Sequence, residues 1–238
     1  MAKPREPAFD STGGACYQDQ VRRLALFLLL AVTATSVLGV GAAAAAKNLP
    51  STTYVDKSAG YRITIPTKWQ VIPPSLALVQ ARIKQLKKQK KTALAAVYSS
   101  YIADANARSD LQQFRFRAFM YPTLPSPVPT DVSLRIQAVS KKFKAADLPA
   151  IGASFAKNMA SPGAKISKPR LVQLPAGKAI VLTGTVPLAK QFAGAKTGFT
   201  LILLLRPGRL FMLSFRIDSR AAADAKVFGS IAELFRFA

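Results

Sequence analysis

From Tyr61 the chain alternates: Tyr61, Ile63 and Ile65 are apolar, Arg62 and Thr64 are polar, and Pro66 closes the run. A period of two is that of a strand with one dry face. Ser51, Thr52, Thr53 and Tyr54 begin a shorter extended run before it, and Asp56-Lys57-Ser58-Ala59-Gly60 separates the two. After Pro73 and Pro74 the period changes. Leu76, Val79, Ile83 and Leu86, then Leu94, Val97, Tyr101 and Ile102, follow the three-and-four spacing of an amphipathic helix reaching to about Ala107, with Ser75 as its N-cap. One long helix, or two with a break near Lys90 to Thr92, both satisfy that pattern.

Alternation returns in Phe114, Phe116, Ala118 and Met120, set against Arg115, Arg117 and Phe119, which predicts a half-buried strand ending at Pro122. A proline-rich loop, Pro122 to Pro129, leads to a second alternating run, Val132, Leu134, Ile136 and Ala138. Asp147 is placed to cap a helix with Pro149 in its first turn and Ile151, Phe155 and Met159 on its dry face. The last third predicts four strands and a helix. Ile166 to Leu174 contains Pro169, which suits an edge. Ala179 to Val186 follows, then Thr200 to Leu205 and Leu210 to Ile217, joined by Arg206-Pro207-Gly208-Arg209. Proline then glycine is the central pair of a type II turn. The two nearly continuous apolar runs it joins predict strands in the middle of the sheet, covered on both faces. Val227, Phe228, Ile231, Leu234 and Phe235 predict a closing helix that lies on the sheet, capped by Asp218 or Ser219.

The first 46 residues differ from the rest. Arg22 and Arg23 precede an apolar run from Leu24 to Ala46 that ends in five alanines. A basic flank, an apolar middle and small residues predict a secretory signal peptide cleaved between Ala46 and Lys47. The same run is long enough to stay as an uncleaved anchor, and either way the bulk of the chain lies outside the cytoplasm. Ala25 stands where a twin-arginine signal wants a bulkier residue. Cys16, the one cysteine, precedes the apolar run, so it is not the acylated cysteine of a lipoprotein and no disulfide is expected. Two segments result, 1–46 as leader and 47–238 as one exported domain without a linker.

Charge narrows the partner. The 34 basic and 11 acidic residues give a net charge of +23, nearly all of it after residue 46. Such an excess favours anionic partners: lipid headgroups, wall polymers or an acidic protein face. Export disfavours nucleic acid. One helix face carries Lys84, Lys87, Lys88 and Lys91, spaced to meet a row of phosphates or carboxylates, although a basic helix face is more often simply solvated. No aromatic residue interleaves between Arg82 and Lys91, so no base-stacking surface is expected there.

The run Tyr61-Arg62-Ile63-Thr64-Ile65-Pro66 followed by Trp69, and the closing Phe228-Gly229-Ser230-Ile231 to Leu234-Phe235-Arg236-Phe237, resemble the PsbP-like superfamily. The resemblance implies an α+β fold, a central antiparallel β-sheet flanked by helices in a sandwich, here preceded by the apolar N-terminal helix. It also implies a binding module rather than a catalyst, and it carries over no binding residue.

Candidate chemistry is sparse. The chain has no histidine, which removes the commonest general base and the most versatile metal ligand. After the leader the carboxylates are Asp56, Asp104, Asp110, Asp131, Asp147, Asp218, Asp224 and Glu233, and no segment supplies the several acidic oxygens of a calcium loop. Asp104 and Asp110 could approach each other, but a free helix end between them disfavours a catalytic or metal pair. Gly177, Gly184, Gly194, Gly198 and Gly208 form no phosphate-cradling loop. Ser154 and Lys157 have the SxxK spacing of a serine–lysine nucleophile, which the abundance of lysine explains by chance. Trp69, Tyr98 and Tyr101 are expected in the core. No cofactor or metal is called for. The reading is a non-catalytic, extracytoplasmic binding or accessory protein of the cell envelope, engaging a protein or an anionic envelope component. The alternative is an extracytoplasmic hydrolase using serine and lysine or a carboxylate.

Overall fold

The computed structural model describes residues 50–103, 105–121, 130–160, 162–187, 196–218 and 225–238. The apolar run 24–46, the junction of Ala46 and Lys47, the loop Pro122 to Pro129, Asp104, Gly194, Ser219 and Asp224 lie outside these residues. In chain order the elements are β1 Ser51–Asp56, β2 Tyr61–Pro66, β3 Trp69–Val71, α1 Leu76–Lys88, α2 Thr92–Ser100, α3 Ala105–Gln113, β4 Phe114–Met120 and β5 Asp131–Ala138. A 3₁₀ turn, Ala145–Asp147, then leads to α4 Leu148–Met159, β6 Lys165–Ile166, β7 Arg170–Leu174, β8 Gly177–Pro187, β9 Lys196–Arg206, β10 Arg209–Asp218, α5 Ala225–Leu234 and β11 Arg236–Phe237.

The fold is α+β. An antiparallel sheet runs β3-β4-β5-β10-β9-β8-β6, with β7 also on β8, and a small second sheet runs β1-β2-β11. As the continuous apolar runs predict, β9 and β10 sit at its centre, in register from Arg209 opposite Arg206 to Asp218 opposite Thr197. Gly208 has φ +75°, the left-handed value that the second central position of the Pro207-Gly208 turn requires. The expected edge strand, Ile166 to Leu174, is present as two pieces, β6 and β7, broken around Pro169.

Each face of the large sheet is covered differently. One face packs Ala118, Val132, Leu134, Val181, Ile202, Leu204, Phe211, Leu213 and Phe215 against β2, Trp69 and the closing helix. On the other face Ile180, Leu182, Leu201, Leu203 and Met212 lie under α4, while Phe119 lies under α1, α2 and α3 with Val79, Ile83, Leu86, Leu94 and Tyr98. Among the described residues three apolar clusters pack, all built from residues between Tyr54 and Phe237.

Several expectations change at this level. The first helical pattern is three helices, not one or two. Lys90 breaks the first from the second at φ 59°, with the Lys91 amide donating to the Leu86 carbonyl at 2.9 Å and the Lys90 amide to the Lys87 carbonyl at 3.0 Å, the paired bonds of a Schellman ending. Ser75 does cap α1, its hydroxyl accepting from the Leu78 amide at 3.3 Å. Asp147 does not cap α4 with its side chain; its carboxylate instead accepts from the Lys144 amide at 2.7 Å, one turn earlier. Asp218 closes β10 rather than opening the last helix. The strand β4 is covered on both faces, not one, and a bulge between Phe114 and Phe116 moves Phe114 to the face opposite Phe116.

Gly184 shows how closely β8 is packed. A Cβ there would stand 2.6 Å from the Phe199 ring and 2.8 Å from the Lys165 carbonyl oxygen, and a backbone oxygen held in a strand cannot swing aside. Gly184→Ala is expected to cost about 1–3 kcal/mol through overpacking, read as the shift in a urea-unfolding midpoint. An unchanged midpoint would show that β6 is free to move away.

Candidate functional site

Between the two helical covers, one face of the large sheet carries a polar strip. It follows from alternation: Asp131, Ser133 and Arg135 on β5 lie opposite Arg216, Ser214 and Met212 on β10, while Arg117 on β4 lies opposite Ser133. Opposed residues in an antiparallel pair share a face. Arg117, expected on a wet face, is buried there, and Asp131 is 0% exposed.

The charges meet at one carboxylate. Asp131 accepts from Arg117 Nη2 at 3.1 Å, from Arg216 Nε at 2.8 Å and from Tyr101 Oη at 3.4 Å; Arg216 Nη2 also reaches its Oδ2. The Arg117 guanidinium lies 4.4 Å from the Tyr101 ring centre and 4.6 Å from that of Phe114, and the Arg135 guanidinium lies 4.3 Å from the Phe114 centre. The bulge puts Phe114 within reach of both cations. Arg135 Nη1 donates to Gln113 Oε1 at 3.0 Å.

Burial alone would favour the neutral acid, but Arg216 and Arg117 outweigh it and hold the Asp131 carboxyl below the usual aspartate range. Burial, reinforced by the Asp131 charge, raises the Tyr101 phenol above its ordinary value. A carboxylate kept ionised, with its oxygens taken by two guanidiniums and a phenol, cannot exchange protons with a substrate near neutral pH. The cluster ties β4, β5 and β10 to the helical cover. Sequence reasoning gave Asp131 no role, because the partners, 14 and 85 residues away, have no common period with it.

The lysines form a different surface. Lys84, Lys87 and Lys88 are exposed on α1; Lys91 is exposed too, but it stands at the start of α2 beyond the break at Lys90. The four therefore do not lie along one helix, and the row is three residues plus one that follows a turn. Ser154 and Lys157 are both exposed on α4, so nothing desolvates the ammonium as an activated lysine requires. Trp69, Tyr98 and Tyr101 are buried as expected, with Tyr98 Oη donating to the Val71 carbonyl at 2.8 Å. Among the described residues no cluster of three acidic, cysteine or histidine side chains is placed to hold a metal, and no helix is long and apolar enough to cross a membrane. The side chains of Asp104 and Asp110 lie outside the description.

A layered α+β sandwich with a buried ion cluster and a basic exterior is the class these features define. Among solved structures the chain is similar to cyanobacterial PsbP (CyanoP) from Synechocystis sp. PCC 6803, at 14% identity and a TM-score of 0.49, over 86% of this chain and 98% of that one. It is also similar to LpqN, a protein involved in cell envelope biogenesis of Mycobacterium tuberculosis, at 12% identity and a TM-score of 0.45, over 79% and 86% of the two chains. A Bacteroides thetaiotaomicron protein matches at 9% identity and a TM-score of 0.46, over 80% of this chain and 49% of that one. No protein-family model and no curated protein matches the chain.

Proposed function

We propose that this is a non-catalytic, extracytoplasmic binding or accessory protein whose basic surface engages an anionic component of the cell envelope, a lipid headgroup or a wall polymer. The observation that carries this reading is the unequal placement of charge. Asp131 is spent inside the ion cluster, and Asp56 and Asp147 accept from turn amides at 2.9 Å and 2.7 Å. Lys84, Lys87, Lys88, Lys90 and Lys91 all face solvent. In a chain of +23 net charge such a surface attracts polyanions and is screened by salt.

Co-sedimentation of the segment 47–238 with phosphatidylglycerol vesicles and with isolated cell wall, at low and high salt, tests it. The quadruple variant Lys84→Gln, Lys87→Gln, Lys88→Gln, Lys91→Gln is expected to bind at least about tenfold more weakly to whichever of the two is the partner. Binding that ignores both salt and the four substitutions would remove this surface from the reading.

A further inference from the structure

We propose that a second basic surface, formed by the segment 139–144 and the turn 206–209, docks on a bilayer of anionic phospholipid with Phe143 entering the headgroup region. The two segments lie side by side: the Val139 amide donates to the Gly208 carbonyl at 3.0 Å, and the Lys141 side chain comes within 3.3 Å of where a Cβ on Gly208 would stand. Together they bring Lys141, Lys142, Lys144, Arg206 and Arg209 to one end of the sheet, all exposed.

The segment is ordered by its own bonds. The Phe143 amide donates to the Ser140 carbonyl at 3.1 Å, the Lys142 amide to Ser140 Oγ at 3.2 Å and the Lys144 amide to Asp147 Oδ2 at 2.7 Å. These bonds hold Phe143 outward at 41% exposure, beside a shallow hollow of about 500 Å³ lined by Ala138, Val139, Ser140 and Phe143. An isolated exposed aliphatic such as Leu78 or Leu171 needs no explanation. An aromatic ring preset between lysines matches an interface that is apolar below and anionic above. Among the described residues, acidic groups near this end include Asp147, whose carboxylate accepts from the Lys144 amide, and Asp56, which caps its own turn and lies near Arg209 through the bond from Arg209 Nη1 to the Ala59 carbonyl at 3.1 Å; Arg206 also lies over the Phe237 ring at 4.1 Å, next to the Ala238 amide that donates to the Gly60 carbonyl at 3.0 Å. Ser51 pairs with Pro66, at the other end of β1 from the Asp56–Gly60 turn. The contact thus lies at the end of the domain away from Ser51.

The inference rests on the reading above for the sign of the partner's charge and adds the bilayer as that partner. The test uses the segment 47–238 carrying Phe143→Trp, with Trp69, buried in the core, as a constant background. Phosphatidylcholine vesicles with phosphatidylglycerol are expected to shift the emission of the new indole to the blue and to allow quenching by brominated lipid; pure phosphatidylcholine should do neither. Lys141→Gln, Lys142→Gln and Lys144→Gln together are expected to weaken partitioning about a hundredfold, at about fivefold per lysine. Phe143→Ala is expected to weaken it about tenfold. These side chains are exposed, so the unfolding midpoint should stay in place. Co-sedimentation with anionic vesicles that depends on Lys84, Lys87, Lys88 and Lys91 but leaves the indole emission unshifted would overturn the inference and spare the earlier reading. So would binding to polyphosphate in solution without binding to vesicles.

Discussion

Asp131→Asn is expected to lower the unfolding free energy by about 3–5 kcal/mol, because it leaves Arg117 and Arg216 in the polar strip without their shared counter-charge. The carboxylate is wholly buried and takes both guanidiniums. Removing one member of such a cluster exposes the desolvation cost of the others, whereas replacing all three charges together by apolar residues of similar volume is expected to cost clearly less, the remainder being the Tyr101 hydroxyl left without its acceptor. Urea-unfolding midpoints of the single and triple variants separate the two outcomes. A triple variant as unstable as the single one would show that the charges do more than neutralise each other.

The same group sets a pH dependence. Its folded pKa is depressed, so its contribution is fully present above the ordinary aspartate value near 4 and is lost as pH falls through the lower folded value. The native protein should therefore lose stability below about pH 4, and the asparagine variant should lose less over that window. Parallel acid profiles for the two proteins would place the acid sensitivity elsewhere.

Phe235→Ala should cost a comparable amount, about 3–5 kcal/mol. Phe235 is 0% exposed. It stacks on Tyr61 with ring centres 6.0 Å apart and meets Phe211 and Phe237 edge-on at 6.4 Å and 5.5 Å. These rings join the closing helix, the small sheet and the centre of the large one, so the cavity would open where three elements meet and none can collapse alone. Phe237→Ala, at a half-buried ring, is the comparison and should cost clearly less. Equal losses for the two would mean that β11, not the ring packing, secures the end of the chain.

Local periodicity made much of the architecture legible. The alternation from Tyr61 to Ile65, the apolar runs flanking Pro207-Gly208 and the three-and-four spacing of Val227 to Phe235 each name an element and its buried side. Lys90, at the break that the helical pattern allows, marks where the first helix ends. The strands β3 and β11 were not legible, since a run of three or two residues carries no period and is defined only by the strand it pairs with. Phe114 was assigned to the wrong face for a related reason: a bulge adds one residue to the count and inverts the side chain before it.

By itself the sequence determined that the chain is basic, lacks histidine, opens with an apolar segment suited to export and continues as an α+β domain, since composition and short-range period are properties of neighbouring residues. Only the tertiary structure decided which charges are available to a partner. It folded Asp131 between arginines from two other strands and left the lysines of α1 outside, because burial and counter-charge depend on which strands lie side by side. It also brought Lys141 beside Gly208, separated by a whole helix and four strands of chain, and so placed Phe143 at a basic end that no linear window contains.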